Sequence, residues 1–165
     1  MSQDDKSLAL WQAWQALDKG SRAQLRRAAM PDALRDIPAF YKFVAPFGWP
    51  ENREQLLRMV FCLAVGKEDI SHSDDAGSLG QALAESGKIS ESRLFQLIHM
   101  DEPNNLVQLR RLIIHAKPKV KWPLVAEQLA YWHTPAARRR LLEDFVMATI
   151  KKNGNKKENK ESPDE

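Results

Sequence analysis

Apolar side chains recur at intervals of three and four residues along almost the whole chain, and this spacing constrains the fold more than any other feature. Near the N-terminus, Leu10, Trp14 and Leu17 follow it, as one face of an amphipathic helix requires. Helix boundaries are marked too, since Thr134 followed by Pro135 is typical of a helix start. No alternating apolar run is flanked by hairpin dipeptides, so strands are not expected. The sequence predicts an all-α fold of about eight to nine helices.

A polar segment in the middle of the chain, KEDISHSDDAG at residues 67–77, separates two helical halves. Clusters of Ser, Asp and Gly between periodic segments indicate a loop. The predicted organisation is an N-terminal helical bundle at residues 1–66 packed against a basic C-terminal bundle at residues 78–152. The last segment, residues 153–165, contains no large apolar residue and is predicted to be a disordered tail.

Composition indicates the class of protein and its cellular compartment. The 165 residues are 43% hydrophobic, which is enough for a buried core. The N-terminus mixes apolar residues with Asp4 and Asp5, unlike a signal peptide, and no apolar run approaches the ~18 residues that span a bilayer. The single cysteine, Cys62, lies in an apolar segment and excludes a disulfide framework. A cytoplasmic protein without a membrane partner is predicted.

Positive charge is concentrated in one part of the chain. Residues 103–142 carry eight Lys or Arg side chains and one acid, Glu127, although the net charge of the whole chain is only +3. The clusters are Arg110 and Arg111; Lys117, Lys119 and Lys121; and Arg138, Arg139 and Arg140. Such a separation of charge favours a polyanionic partner, with nucleic acid as the first candidate. The alternative is a solvated face on which Arg139 and Arg140 pair with acids four residues further along a helix.

Helix geometry distinguishes the two neighbouring arginines of this segment. Arg111 shares one stripe with Asn104, Gln108 and His115, on the side away from the apolar face, so we expect Arg111 to be exposed. Arg110 lies about 100° around the helix from Leu109, a residue of the apolar face, so its stem is expected to flank the core.

Other arginines occupy positions that helix electrostatics disfavour. Arg22 and Arg53 lie in the first turns of predicted helices, near the positive end of the helix dipole, at a cost of roughly 0.3–1 kcal/mol each. Arg22 and Arg26 also form a like-charge pair four residues apart. An external anion explains such placements better than folding does.

Signatures of catalysis and of metal or cofactor binding are missing. One cysteine and four scattered histidines provide no pair with the spacing of zinc ligands, and no glycine-rich phosphate loop is present. Arg110 and His115 resemble the R-x4-H motif of HEPN ribonucleases, in which the two side chains would flank the scissile phosphate. On a regular helix they are about 140° apart and converge poorly. We predict no enzyme, cofactor or metal, with a HEPN-like ribonuclease as an alternative.

Five segments, in unbroken order, closely resemble the small subunit (CasB-type) of Cascade, the type I-E CRISPR surveillance complex. They are RDIPAFYKFVAPFGWPENREQLLRMVFCLAVGK, SLGQALAESGKISESRLFQLIH, LVQLRRLIIHAKP, WPLVAEQLAYW and RRRLLEDFVM. The resemblance extends from about residue 7 to about residue 150. It implies a non-catalytic subunit, present as two copies in a row, that helps to hold the heteroduplex of guide RNA and target DNA and the displaced single-stranded DNA.

The resemblance also implies the partners and the site. The partners would be the backbone and large subunits of the complex and a second copy of the chain. Because guide pairing supplies sequence specificity, the protein needs only charge and shape. The arginines in the best-matched segments come first, and the candidate nucleic-acid-binding residues are Arg53, Arg93, Arg111, Arg110, Arg26, Arg27, Arg22, Lys117, Lys119, Arg138 and Arg139.

Two points keep other interpretations open. The segment HMDE at residues 99–102 is less basic than the resemblance leads us to expect, and residues 153–165 have no counterpart. From the residues alone, a helical adaptor whose basic face docks an acidic protein is the main rival. A helix-turn-helix regulator is disfavoured, because no recognition helix follows a tight turn.

Overall fold

The computed structural model describes residues 2–161, with side chains placed as far as residue 156, and most of this chain is helical. The predicted all-α class is confirmed. The α-helices of the described chain are α1 (Gln3–Ala16), α2 (Lys19–Arg26), α3 (Pro38–Val44), α4 (Arg53–Leu63), α5 (Leu79–Ser86), α6 (Glu91–Ile98), α7 (Asn104–Ala116), α8 (Trp122–Ala130) and α9 (Pro135–Glu161). Two 3-10 helices, Pro31–Asp36 and Ala45–Phe47, flank α3. Two short strands, β1 (Ser71–His72) and β2 (Lys119–Val120), pair in parallel.

Polar caps start the helices where the sequence indicates. At α5, Ser78 Oγ accepts a hydrogen bond from the Gln81 N–H at 3.4 Å, and Gln81 Oε1 accepts from the Ser78 N–H at 3.0 Å. Thr134 Oγ1 accepts from the Ala137 N–H at 3.3 Å, which confirms the predicted start of α9. These bonds satisfy N–H groups that have no partner within their own helix.

One continuous cluster of buried apolar side chains runs through both halves of the chain. In the C-terminal half, α5 and α6 pack against α7 and α9. Helix α8 belongs to the same half in sequence, yet it packs on α1 and α4 of the N-terminal half. The polar segment at residues 67–77 is packed into the fold, because Ile70 is buried and β1 pairs with β2. The two halves of the chain therefore share one core.

The tryptophans pack in the core or against it. Trp14, Trp122 and Trp132 are buried, and Trp11 and Trp49 are half-buried against the core. The indole N–H of Trp122 donates to the carbonyl oxygen of Ser7 in α1 at 3.0 Å, which links α8 to the N-terminal helix. Base stacking on the buried rings is excluded by their burial.

The end of the last helix differs from its predicted position near residue 150. Helix α9 continues to Glu161, so residues 153–161 of the predicted disordered tail are helical. Adding a residue to an existing helix requires no new nucleus, and Lys and Glu are good helix formers, so the packed part of α9 propagates into this polar segment. The rest of the predicted tail, residues 162–165, lies outside the described residues.

Candidate nucleic-acid interface

Arg110 is anchored at the ends of two helices. Its Nη2 donates to the carbonyl oxygen of Arg26 at 3.0 Å and to that of Ala64 at 2.7 Å, at the C-terminal ends of α2 and α4. The guanidinium also lies 5.0 Å from the centre of the Phe61 ring. Helix C-termini leave carbonyl groups without intrahelical partners, so a fork of N–H donors stabilises them. Burial lowers the pKa of the Arg110 guanidinium, which the sequence predicted would flank the core.

Arg111, the next residue of α7, has the opposite environment. It is exposed together with Asn104 and His115, and Gln108 of the same stripe is half-buried. The predicted stripe is therefore confirmed as a surface feature. Adjacent residues of a helix point about 100° apart, and here this rotation separates a structural arginine from one that faces solvent.

A carboxylate holds one of the candidate lysines. Lys117 ends α7 in a left-handed conformation (φ +51°), and its Nζ lies 3.1 Å from Asp69 Oδ1. The Asp69 side chain lies in the loop between α4 and β1 and is largely buried. Lys117 thus ties this loop to the end of α7.

Two more candidates are turned toward protein groups. Arg138 is half-buried, and its Nη1 donates to the carbonyl oxygen of Trp132 at 2.9 Å. Arg22 is half-buried as well, and its Nε is buried without a hydrogen-bond partner in the described structure. Asp18 caps α2, so this helix begins before Arg22, which is its fourth residue. A folding contact therefore accounts for part of the placement of Arg138, whereas none of the described hydrogen bonds or ion pairs involves the side chain of Arg22.

The other candidates share exposure and the lack of a carboxylate within 4.0 Å among the described side chains. They are Arg26, Arg27, Arg53, Arg93, Arg111, Arg139 and Lys119. Arg53 is also oriented, because its guanidinium carbon lies 5.6 Å from the centre of the Trp49 ring. Pairing along α9 occurs at Arg140, whose Nε lies 3.7 Å from Asp144.

Sequence reasoning missed a buried arginine, Arg58. Its Nε donates to the carbonyl oxygen of Leu129 at 2.8 Å and its Nη2 to that of Ala130 at 2.6 Å, at the end of α8. His133 Nδ1 lies 3.3 Å from the same Nη2. Burial lowers the pKa of the Arg58 guanidinium. The sequence does contain a signal, because Arg58 is the single cation within the apolar helical run LLRMVFCL. A buried cation of this kind needs hydrogen-bond acceptors from the surrounding protein.

The geometry does not favour the ribonuclease alternative. Arg110 is directed inward to two carbonyl groups, whereas His115 is exposed on another face of α7. Within the described residues there is no group of three or more His, Cys, Asp or Glu side chains that could hold a metal ion. In the same part of the chain, no helix is both long enough and apolar enough to cross a membrane.

One open groove, of about 380 Å³, lies between α8 and the start of α9. Leu124 and Tyr131 line it and are exposed, and Arg140 and Asp144 stand at its edge. An apolar groove of this kind suits contact with protein more than contact with a phosphate backbone. It is the feature that a protein-interaction adaptor would use.

The described residues form a helical protein that exposes arginines on several of its helices. The family model of CRISPR-associated protein Cse2 matches residues 21–145. The CRISPR system Cascade subunit CasB of Escherichia coli (strain K12) is 52% identical over 159 residues, which cover 92% of this chain and 99% of the relative. The chain belongs to the Cse2 family, which confirms the resemblance to CasB-type subunits.

Solved structures agree with this assignment. A chain in the crystal structure of E. coli Cascade bound to a PAM-containing dsDNA target matches with a TM-score of 0.84 at 56% identity, over 87% of this chain and 96% of that one. CasB from Thermus thermophilus matches with a TM-score of 0.66 at 21% identity, over 88% of this chain and 99% of the other. At that identity the second match shows the fold alone.

Proposed function

We propose that this chain is a non-catalytic subunit of a Cascade complex that binds the nucleic-acid backbone without sequence specificity. It stabilises the heteroduplex of guide RNA and target DNA and the displaced single-stranded DNA. The E. coli relative is a Cascade subunit, and the matched structure is a Cascade complex bound to double-stranded DNA, which supports this role. Its other partners are the backbone and large subunits of the complex and a second copy of the chain.

The observation that carries the proposal is the set of exposed arginines without acidic partners. Arg53, Arg93 and Arg111 lie on three different helices, and none of them has a carboxylate within 4.0 Å among the described side chains. A guanidinium presents N–H donors in a planar fork that matches phosphate oxygens. Contacts of this kind position a protein on a backbone without reading bases.

Fluorescence anisotropy of a labelled oligothymidine of about 20 nucleotides, measured across a salt series with the full chain, tests the proposal. If about six to eight phosphates are neutralised, log K falls with log salt at a slope of about −4 to −6. The triple charge reversal Arg53→Glu, Arg93→Glu and Arg111→Glu removes three contacts. We expect a shallower slope, by about 2, and affinity at least about 100-fold weaker near 0.1 M salt.

A matched control reverses three cations outside the proposed surface: Lys6→Glu, Arg35→Glu and Lys88→Glu. This control changes the net charge equally, so it separates a local site from the general charge of the chain. We expect its slope to stay within about 0.7 of wild type, the value of one contact. Equal losses in both triples, or a salt-independent affinity, would overturn the assignment of the binding surface.

The alternative is a helical adaptor whose basic face docks an acidic protein, and the groove beside Leu124 and Tyr131 is a surface suited to protein contact in general. Competition distinguishes the two functions. DNA of any sequence should displace the oligothymidine from a backbone-binding subunit, whereas an adaptor would hold its protein partner against DNA at physiological salt. A second test changes Arg53, Arg93 or Arg111 in the reconstituted complex. An equal loss of R-loop formation at unrelated targets favours backbone binding without sequence specificity over the adaptor.

A further inference from the structure

Asp69 lies beside Lys117, one of the candidate nucleic-acid-binding residues. Both of its oxygens are used: Oδ2 accepts from the Gly66 N–H at 2.8 Å, and Oδ1 lies 3.1 Å from Lys117 Nζ. The side chain of Asp69 retains 14% of its full exposure, against 51% for Lys117. A carboxylate in this position is held by the Gly66 N–H on one side and pairs with an exposed cation on the other.

Cations from two helices, α2 and α7, lie around this carboxylate. Lys117 ends α7, Arg110 belongs to the middle of α7, and Arg26 ends α2. The Nη2 of Arg26 lies close to Gly66, at 3.6 Å from the position that a Cβ on this glycine would occupy. Asp69 Oδ2 lies 2.7 Å from the same position. Arg110 holds the Arg26 carbonyl oxygen at 3.0 Å, and the charge of Asp69 acts on the Arg110 guanidinium.

We propose that Asp69 is a built-in counter-ion that limits the affinity for phosphate of the basic surface formed by Lys117 and Arg26. This inference rests on the proposed function and names a regulating residue for the same surface. A phosphate that contacts Lys117 must displace Asp69. The loss of this ion pair offsets much of the binding free energy that the phosphate contact contributes. The negative charge also lowers the local positive potential that Arg26 contributes. A subunit that follows a displaced strand benefits, because weaker contacts exchange faster.

The substitution Asp69→Asn isolates this role. Asparagine keeps a side-chain oxygen for the Gly66 N–H and removes the charge that holds Lys117. Lys117 can then contact one additional phosphate. This contact should tighten binding of labelled oligothymidine by about fivefold near 0.1 M salt and steepen the salt slope by about 0.7. Combining Asp69→Asn with Lys117→Gln should remove this gain, since the released lysine is then absent.

The control is Asp75→Asn, which removes the same charge from the same loop at a residue without a cation within 4.0 Å among the described side chains. Its affinity should stay within about twofold of wild type. Thermal melting of each variant checks that it is folded. If the melting temperature of Asp69→Asn is much lower than that of wild type, Asp69→Ser replaces it in the binding assay, because serine also offers an oxygen to the Gly66 N–H.

Each outcome of the series has a distinct meaning. Salt-dependent binding by wild type with no gain in either Asp69 variant overturns the counter-ion role and leaves the proposed function standing. An equal gain in Asp75→Asn overturns it as well, because the effect would then be one of net charge. Absence of salt-dependent binding by wild type and by all variants contradicts the proposed function itself, together with the role of Asp69.

Discussion

Two regions of the molecule use arginine in opposite ways. In the inner region, Arg58 and Arg110 direct their guanidinium groups to carbonyl oxygens at helix ends, at distances of 2.6 to 3.0 Å. In the outer region, Arg53, Arg93 and Arg111 are exposed and have no carboxylate within 4.0 Å among the described side chains. Residue type alone therefore does not identify a binding residue. The partner that the guanidinium meets decides its role.

The physical difference lies in the cost of losing the partner. A buried carbonyl that loses its donor remains desolvated and unpaired, which costs about 1–3 kcal/mol. An exposed arginine that is removed leaves only water behind, and surface substitutions usually change stability by less than about 0.5 kcal/mol. The inner region should accordingly respond in stability and the outer region in binding.

The largest expected effect follows the change Arg58→Leu. It leaves the carbonyl oxygens of Leu129 and Ala130 without their donor and should lower the free energy of unfolding by about 3 kcal/mol. Urea denaturation measures this loss. Arg58→Lys should recover only part of it, since one ammonium cannot match both donor directions of the guanidinium. A loss below about 0.5 kcal/mol would show that the inner region does not depend on this residue.

The neighbouring pair on α7 gives the sharpest comparison. Arg110→Gln removes two hydrogen bonds at the ends of α2 and α4 and should cost about 2 kcal/mol of stability. Arg111→Gln should change stability by less than about 0.5 kcal/mol, yet weaken oligothymidine binding about fivefold near 0.1 M salt. Denaturation and anisotropy on the same two variants test both statements. Equal stability losses would erase the distinction between the two regions.

The last prediction concerns Cys62, which is buried in the inner region near Arg110. Burial raises the pKa of the Cys62 thiol to about 12 from an ordinary value of 9.0, although the Arg110 charge lowers it slightly. The unfolded chain releases this proton above pH 9 while the folded chain keeps it. The contribution of the thiol to stability is therefore complete below pH 9 and is lost as the pH rises toward 12.

Iodoacetamide labelling at pH 8 checks the same burial. Native Cys62 should react only through transient opening, much more slowly than the thiol of the urea-unfolded chain. The variant Cys62→Ala should show less decline of stability between pH 9 and pH 11 than wild type. Rapid labelling of the native chain would show that this part of the core is open to solvent.

The helical class, most helix boundaries and the position of Arg111 could be predicted from the sequence because they depend on local rules. The apolar period assigns faces within one helix, and caps such as Ser78 and Thr134 satisfy N–H groups a few residues away. The family resemblance was visible for a similar reason, since it rests on continuous segments. The partners of Arg58 and Arg110 could not be predicted, because each lies 46 to 84 residues away along the chain.

The end of α9 shows another limit of composition. A polar segment at residues 153–165 predicted disorder, but residues 153–161 continue a helix that the packed residues before them have already nucleated. Composition describes a segment on its own, whereas helix propagation depends on what precedes it. The same limit applies to Asp69, whose contact with Lys117 joins residues 48 positions apart.

The helical class, the basic second half and the family follow from the amino-acid sequence alone, because period, charge and segment order are properties of the chain. Which arginines are available to a phosphate depends on packing. Packing brings the ends of α2, α4 and α8 to Arg110 and Arg58, and it places Asp69 beside Lys117. Whether a cation is occupied depends on neighbours in space, and those neighbours follow from how the helices pack.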